Sequence, residues 1–272
     1  MHIPMNSCLD HSDKPDSPLA WCASGAILFG ATLLGASATW AQERPAEPPA
    51  SSWSAGAFAS TETSPYRGAD DTRRWLPLVA FENAYVRWAG PMLDIKLPST
   101  GAVSFALRAR YTDAGYKASD SVSLAGMVER KSSIWLGAKA EWQHDFGQLS
   151  AEWLADAANH SGGQQIKLTA EKPMGFGRLR LAPRVALLWQ DSDQVDYYFG
   201  VRSSEARTGR SAYAGQSTVN TELGLRAFYG LDRQQSLFMD LHATALGAAI
   251  KDSPLVDRSW VSGLRLGYAY RF

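Results

Sequence analysis

The chain has 272 residues with 27 basic and 27 acidic side chains, so it presents no basic field that would attract nucleic acid. Hydrophobic residues make up 45% of it, yet its mean hydropathy is only −0.23. That is too polar for a bundle of membrane helices, but it suits membrane strands in which every second residue faces a polar lumen. Both cysteines, Cys8 and Cys22, fall near the N-terminus, which leaves the rest of the chain without disulfides or thiol chemistry.

In chain order, residues 19–41 come first, with the run Ala26-Ile27-Leu28-Phe29-Gly30 and the ending Thr39-Trp40-Ala41 before Gln42. An apolar core followed by small residues reads as a cleavable signal peptide over 1–41, with cleavage after Ala38 as the second choice. Its flank is unusual, with Lys14 standing against Asp10, Asp13 and Asp16. A single anchoring helix is the competing reading, and the many Gly, Ala, Ser and Thr residues weigh against it. Residues 42–52, with Pro45, Pro48 and Pro49, make a short extended linker on the periplasmic side.

Residues 53–272 then read as one all-β domain, a transmembrane antiparallel up-and-down barrel. Apolar residues alternate with polar or small ones, as on Val103, Phe105, Leu107, Ala109 and Tyr111, on Ile134, Leu136, Ala138, Ala140 and Trp142, and on Leu179, Leu181, Pro183, Val185, Leu187 and Trp189. Each run is close to the roughly nine to eleven residues that a tilted strand needs to cross a bilayer. Aromatics such as Trp53, Tyr111, Trp142, Trp189, Tyr229 and Trp260 gather at strand ends, where interfacial girdles belong.

Connections alternate in length. Short turns at 98–101, 145–147, 174–176 and 231–234 are periplasmic by the rule for bacterial barrels, and the longer loops at 62–73, 112–131, 159–163, 190–217 and 247–257 are extracellular. An odd number of crossings must therefore fit between Arg74 and Leu97. One crossing gives ten strands and three give twelve. Glu82-Asn83-Ala84 and Ala89-Gly90-Pro91 supply the two turns that twelve requires, so about twelve is expected, with ten left open.

The last strand ends on an aromatic. Leu264, Leu266, Tyr268, Tyr270 and Phe272 share its outer face, and a terminal Phe with Tyr two residues before it resembles the recognition signal read by the barrel-assembly machinery of Gram-negative bacteria. The opposite parity defines the lumen, where Arg108, Arg110, Arg180, Arg184, Glu222, Arg226, Asp240 and Arg265 are the candidate charges, joined by Arg178, Lys139, Glu152, Lys167 and Glu171. Pairing between arginines and carboxylates that satisfy one another is the simpler reading, because buried charges need partners. A basic ladder guiding anions is the sharper one.

Catalysis finds little support. Ser236, Asp240 and His242 share a face, but residues two apart on one strand are separated by roughly 7 Å, whereas a nucleophile and its base need about 3 Å. His144 and His160 lack the spaced partners of a zinc site, and the loop acids Asp70, Asp71, Asp191, Asp193, Asp196 and Asp252 lack calcium-loop spacing. No catalytic, cofactor-binding or metal-binding residue is therefore expected.

Ser64-Pro65-Tyr66-Arg67-Gly68-Ala69-Asp70-Asp71 followed by Leu76-Pro77-Leu78 resembles the first loop and second strand of the MipA/OmpV family of outer-membrane proteins. Tyr197-Tyr198-Phe199-Gly200-Val201 and Lys251-Asp252-Ser253-Pro254-Leu255-Val256 are similar to later landmarks of that family. Residues 83–97 depart from its pattern, with Pro91 and Asp94 where a smoother glycine-rich stretch is usual. The resemblance implies a non-enzymatic barrel in the outer membrane, set among outer-membrane lipid and lipopolysaccharide. It implies a scaffold that brings together a membrane-bound lytic transglycosylase and a murein synthase. Other roles described for the family are adhesion and envelope-stress response, and a small-solute or anion pore is the alternative of a different class.

Overall fold

The computed structural model describes residues 51–272; the expected leader over 1–41 and nearly all of the linker over 42–52 lie outside the described residues. The strands are β1 (Ser52–Glu62), β2 (Thr72–Glu82), β3 (Val86–Ala89), β4 (Met92–Thr100), β5 (Val103–Thr112), β6 (Ser133–His144), β7 (Gly147–Asp156), β8 (Gln164–Glu171), β9 (Met174–Phe176), β10 (Leu179–Gln190), β11 (Thr218–Gly230), β12 (Gln235–Ala245) and β13 (Trp260–Arg271). Two helices, α1 (Ser192–Phe199) and α2 (Ala248–Lys251), lie in the loops of one end.

Neighbouring strands pair antiparallel, and β13 returns to β1, with Ser54 opposite Arg271 and Glu62 opposite Gly263. β10 pairs with β11 on one side and on the other with β8 and then β9, which continues β8 in the same register along β10, so the closed barrel has twelve strands. Closure leaves few open edges, which is what lets a sheet satisfy its backbone groups inside lipid. Twelve rather than ten follows from three crossings, β2, β3 and β4, between Arg74 and Leu97. Their turns fall at the two places that the sequence marks.

Side-chain parity holds round the wall. On β10, Val185 and Leu187 are exposed on the outside while Arg184, Ala186 and Gln190 are buried inside. On β6, Ile134, Leu136 and Trp142 face out while Trp135 and Glu141 face in.

One expectation needs correction and another gains detail. Met174-Gly175-Phe176 is not a turn but β9, which pairs with β10 from Leu181 opposite Met174 to Leu179 opposite Phe176. The reversal sits one residue later at Gly177, where φ is +62°, a backbone state that suits glycine. The loop over 190–217, expected only as a long extracellular connection, contains α1. Asp191 caps it by accepting the Gln194 backbone N–H at 2.9 Å, as a short polar residue before a helix does.

One part of the wall is short. β3 has only four residues, so β2 is paired on that side at Ala80, Phe81 and Glu82 alone. The upper part of β2 is thus joined to β1 but not to β3, and a notch opens in the extracellular rim between β2 and β5.

Candidate functional site

The lumen is the place where chemistry would have to occur, and its charges occur as linked pairs. Arg108 on β5 binds both Asp94 oxygens on β4, at 2.7 and 2.6 Å, and also reaches Glu152 on β7. Arg110 donates to the same Glu152 at 3.0 Å. Across the barrel, Arg184 on β10 forms a two-pronged bond to Asp240 on β12, at 2.7 and 3.0 Å, and its Nε donates to Glu222 at 2.9 Å. Lys167 meets Glu222 at 2.7 Å, and Arg226 bridges Glu171 at 2.9 Å and Asp240 at 3.2 Å. Arg265 on β13 closes the seam to Glu62 on β1 at 2.6 Å.

Five of these links skip a strand, and for the one from Arg184 to Asp240 a glycine explains how. Arg184 lies opposite Gly224, which lies opposite His242. A Cβ on Gly224 would sit 2.6 Å from the Arg184 guanidinium carbon, so only a hydrogen there lets the arginine cross β11 to Asp240. Arg108 lies opposite Gly137 of β6 and reaches past it to Glu152, while a Cβ on Gly137 would meet the Trp153 carbonyl of β7. Gly263 and Gly267 make comparable room, for the rings of His242 and Phe238.

Towards the periplasmic end the filling turns apolar. Leu78, Ala80, Ala89, Phe238 and Ala269 form a buried cluster flanked by Phe58 and Phe228. Burying such side chains stabilises by about 1.5–3 kcal/mol each for the larger ones.

At the extracellular end the loops fold over the mouth. Tyr66, Tyr116, Leu124, Met127, Val201 and Leu255 make one buried cluster, and Val195, Leu246, Ile250 and Val256 make another; Phe199 packs against both. Through this dome runs an ion pair with each side chain only 2% exposed. Arg130 binds Glu205 through two nitrogens, at 3.2 and 3.0 Å, and gives its Nε to the Tyr197 carbonyl. Arg210, also buried, donates to the carbonyls of Glu205, Ser123 and Ala125. Burial alone would raise the Glu205 carboxyl, but hydrogen bonds from Arg130 and from the backbone N–H groups of Val128 and Arg202 hold it below the ordinary range. Burial raises the Tyr66 hydroxyl well above its usual value and takes Tyr116 up to about 12.

Of the charges singled out in the sequence, Arg108, Arg110, Arg184, Glu222, Arg226, Asp240 and Arg265 enter these links. Arg180 lies on the same inward parity of β10 and also has an interaction partner. Arg178 is corrected: it lies outside the strand, in the exposed turn before β10, and donates to the Leu231 carbonyl at 3.1 Å. The strand begins only after Gly177 has turned the chain. Asp94, Glu82, Arg87 and Lys96, absent from the expected lumen set, belong to it, with Glu82 accepting from both Arg87 and Lys96. The parity of Arg87 was hidden because β3 is too short to show a period, while Glu82 ends β2 and Asp94 and Lys96 lie on β4.

Ser236, Asp240 and His242 do share the inner face of β12. His242 Nδ1 lies 3.5 Å from Asp240 Oδ1, while Ser236 is four residues away, roughly 13 Å at strand rise. Both oxygens of Asp240 are already held by Arg184.

A closed wall with an apolar outer face, a charged inner one, short turns at one end and loops at the other defines a bacterial outer-membrane β-barrel. Within that class the match is specific: the family model described as MltA-interacting protein MipA covers residues 55–272, and the chain belongs to this family. It is 28% identical over 228 residues to an Escherichia coli O157:H7 protein designated outer membrane protein YiaT, covering 82% of this chain and 92% of that one. It is 26% identical over 225 residues to the MltA-interacting protein of Escherichia coli strain K12, covering 81% and 90%. With outer membrane protein OmpV of Vibrio cholerae the identity is 28% over 157 residues, covering 57% and 61%. The outer membrane is therefore its location.

Proposed function

We propose that this barrel is a non-enzymatic interaction protein, a scaffold that ties the outer membrane to murein-remodelling enzymes of the lytic transglycosylase and murein synthase kind. The observation that carries this reading is the way the lumen is used: its arginines are bound to carboxylates, and the dome packs over its outer mouth. Charges bound to one another do not form a free basic ladder, which disfavours the anion pore. A relative named for interaction with MltA supports the scaffold.

The surface left for a periplasmic partner is the ring of short turns. Phe146 and Phe176 are exposed there, and Trp142, His144 and Phe146 form a cluster with ring centroids 4.4–5.9 Å apart. Exposed aromatics in a cluster are typical anchors of protein interfaces.

A pull-down from envelope extract with the tagged barrel tests the scaffold. Recovery of a lytic transglycosylase, reduced by Phe146→Ala with Phe176→Ala, is the expected result. Recovery of no murein enzyme counts against it. The purified barrel is expected to be silent in planar bilayers; steady anion-selective conductance that falls on neutralising Arg180, Arg184 and Arg265 would establish the pore instead.

A further inference from the structure

The notch beside β2 has an unusual chemistry. Trp53 gives its carbonyl to Phe272, just past β13, and Val79 gives its carbonyl to Gly90 beyond β3. Since hydrogen-bonding direction alternates along a strand, the even-numbered residues of β2 bond to β1, and Arg73, Trp75 and Pro77 turn their backbone groups towards the notch. The ladder of β3 stops at Ala80 opposite Ala89 and does not reach them. Pro77 has no N–H to leave unmet, which is how an edge tolerates exposure. Arg73 and Trp75 do have one each.

The side chains around this gap sort by polarity. Trp75 is 83% exposed, more than any other tryptophan in the barrel, and Val79, Leu93 and Tyr111 are exposed near it on the outer wall. Above them Arg73 is exposed on the outer parity of β2. The neighbouring cations are taken: Arg74 spans the notch to Asp113 at 2.5 Å, and Arg258 meets Asp71 at 3.5 Å. Among the described residues bordering the gap, that leaves Arg73 as the cation facing outward over an apolar surface, beside two backbone donors.

We propose that the notch is a docking site for the phosphoglycolipid of the outer leaflet, the lipid A portion of lipopolysaccharide. One glycolipid phosphate takes the Arg73 guanidinium and the N–H groups of Arg73 and Trp75. An acyl chain lies below it against Trp75, Pro77 and Val79, where β3 leaves the wall low. The extracellular rim meets the outer leaflet, and a cation set above an exposed apolar wall complements a phosphate set above acyl chains. This site is independent of the scaffold reading, since the notch is at the opposite end from the periplasmic turns.

Native mass spectrometry of the detergent-purified barrel titrated with bisphosphorylated lipid A tests it. Arg73→Gln is expected to lower the bound fraction about tenfold in apparent affinity, the scale of one charge-assisted hydrogen bond. Trp75→Ala should weaken it less, and dephosphorylated lipid A should bind no better to wild type than to Arg73→Gln. Arg233→Gln, in an exposed periplasmic turn, is the control expected to leave binding unchanged. Heat-modifiable gel mobility confirms that each variant is folded, and all three substituted positions are exposed. Equal binding by wild type and Arg73→Gln, or an equal loss in the Arg233 control, overturns the site. Phosphatidylglycerol binding as well as lipid A, with the same dependence on Arg73, overturns the glycolipid as its occupant.

Discussion

Two sets of buried charge hold this molecule together, and they are built differently. The lumen set is mounted on strands, so several carboxylates serve two cations each: Asp240 binds Arg184 and Arg226, and Glu152 binds Arg108 and Arg110. Among the described residues the dome has one buried pair, Arg130 with Glu205, and Arg130 and Arg210 also donate to loop carbonyls. A shared network on a rigid wall tolerates weakening of a single link. A single pair in a fold of loops tolerates it less, because no second charged side chain takes the place of the one removed and only neutral backbone groups remain.

The largest effect comes from removing what both regions depend on, the closed wall. Deleting Phe272, whose N–H binds the Trp53 carbonyl at the seam, should abolish most insertion, measured as heat-modifiable barrel in the outer membrane; undiminished insertion would contradict an assembly role for the terminal strand. Next, Arg184→Met strips Asp240 of its two-pronged partner and Glu222 of one. A loss of about 3–5 kcal/mol is expected in urea unfolding from micelles, moderated because Arg226 and Lys167 remain. If the loss is below 1 kcal/mol, the network adds nothing to stability.

Glu205→Gln separates the two regions. It should open the dome, with new protease cuts in 113–132 and 191–217, while unfolding of the barrel stays unchanged. Acid does the same by protonation. The folded Glu205 lies below its ordinary value, so its stabilisation is complete above that value and fades as pH falls through the folded one. Hydrogen exchange across 201–213 should therefore rise below about pH 4 in the wild type, with less pH dependence in Glu205→Gln. The smallest effect is expected from Gly267→Ala, which presses a methyl group onto the Phe238 ring; about 1–3 kcal/mol is the usual cost of such overpacking. Global unfolding should register it while dome proteolysis does not change.

The same contrast explains what could be read from the sequence. Strand parity is local, so the inward charges of β5, β10, β11, β12 and β13 were visible as every second residue, and the terminal pattern gave the seam. The glycine that lets Arg184 cross to Asp240 was on view as an inward Gly224, although its use needed the register of three strands. The dome was not legible. Arg130 and Glu205 are 75 residues apart in loops without a period, and neither differs in its neighbourhood from a solvated surface charge. Between these extremes, β3 was recognised only through its flanking turns, since four residues cannot display an alternation.

The seam between β1 and β13 has a further consequence. Its last bond, Phe272 to Trp53, places the two ends of the barrel one hydrogen bond apart at the periplasmic rim. The wall is thus a ring, and the point at which the chain enters it is a property of connectivity rather than of shape. A circular permutant that joins 272 to 52 through a short linker and begins within the loop over 157–163 would keep every strand neighbour. It would lack only a free terminal aromatic, so the finished ring and the signal for building it become separable in one molecule.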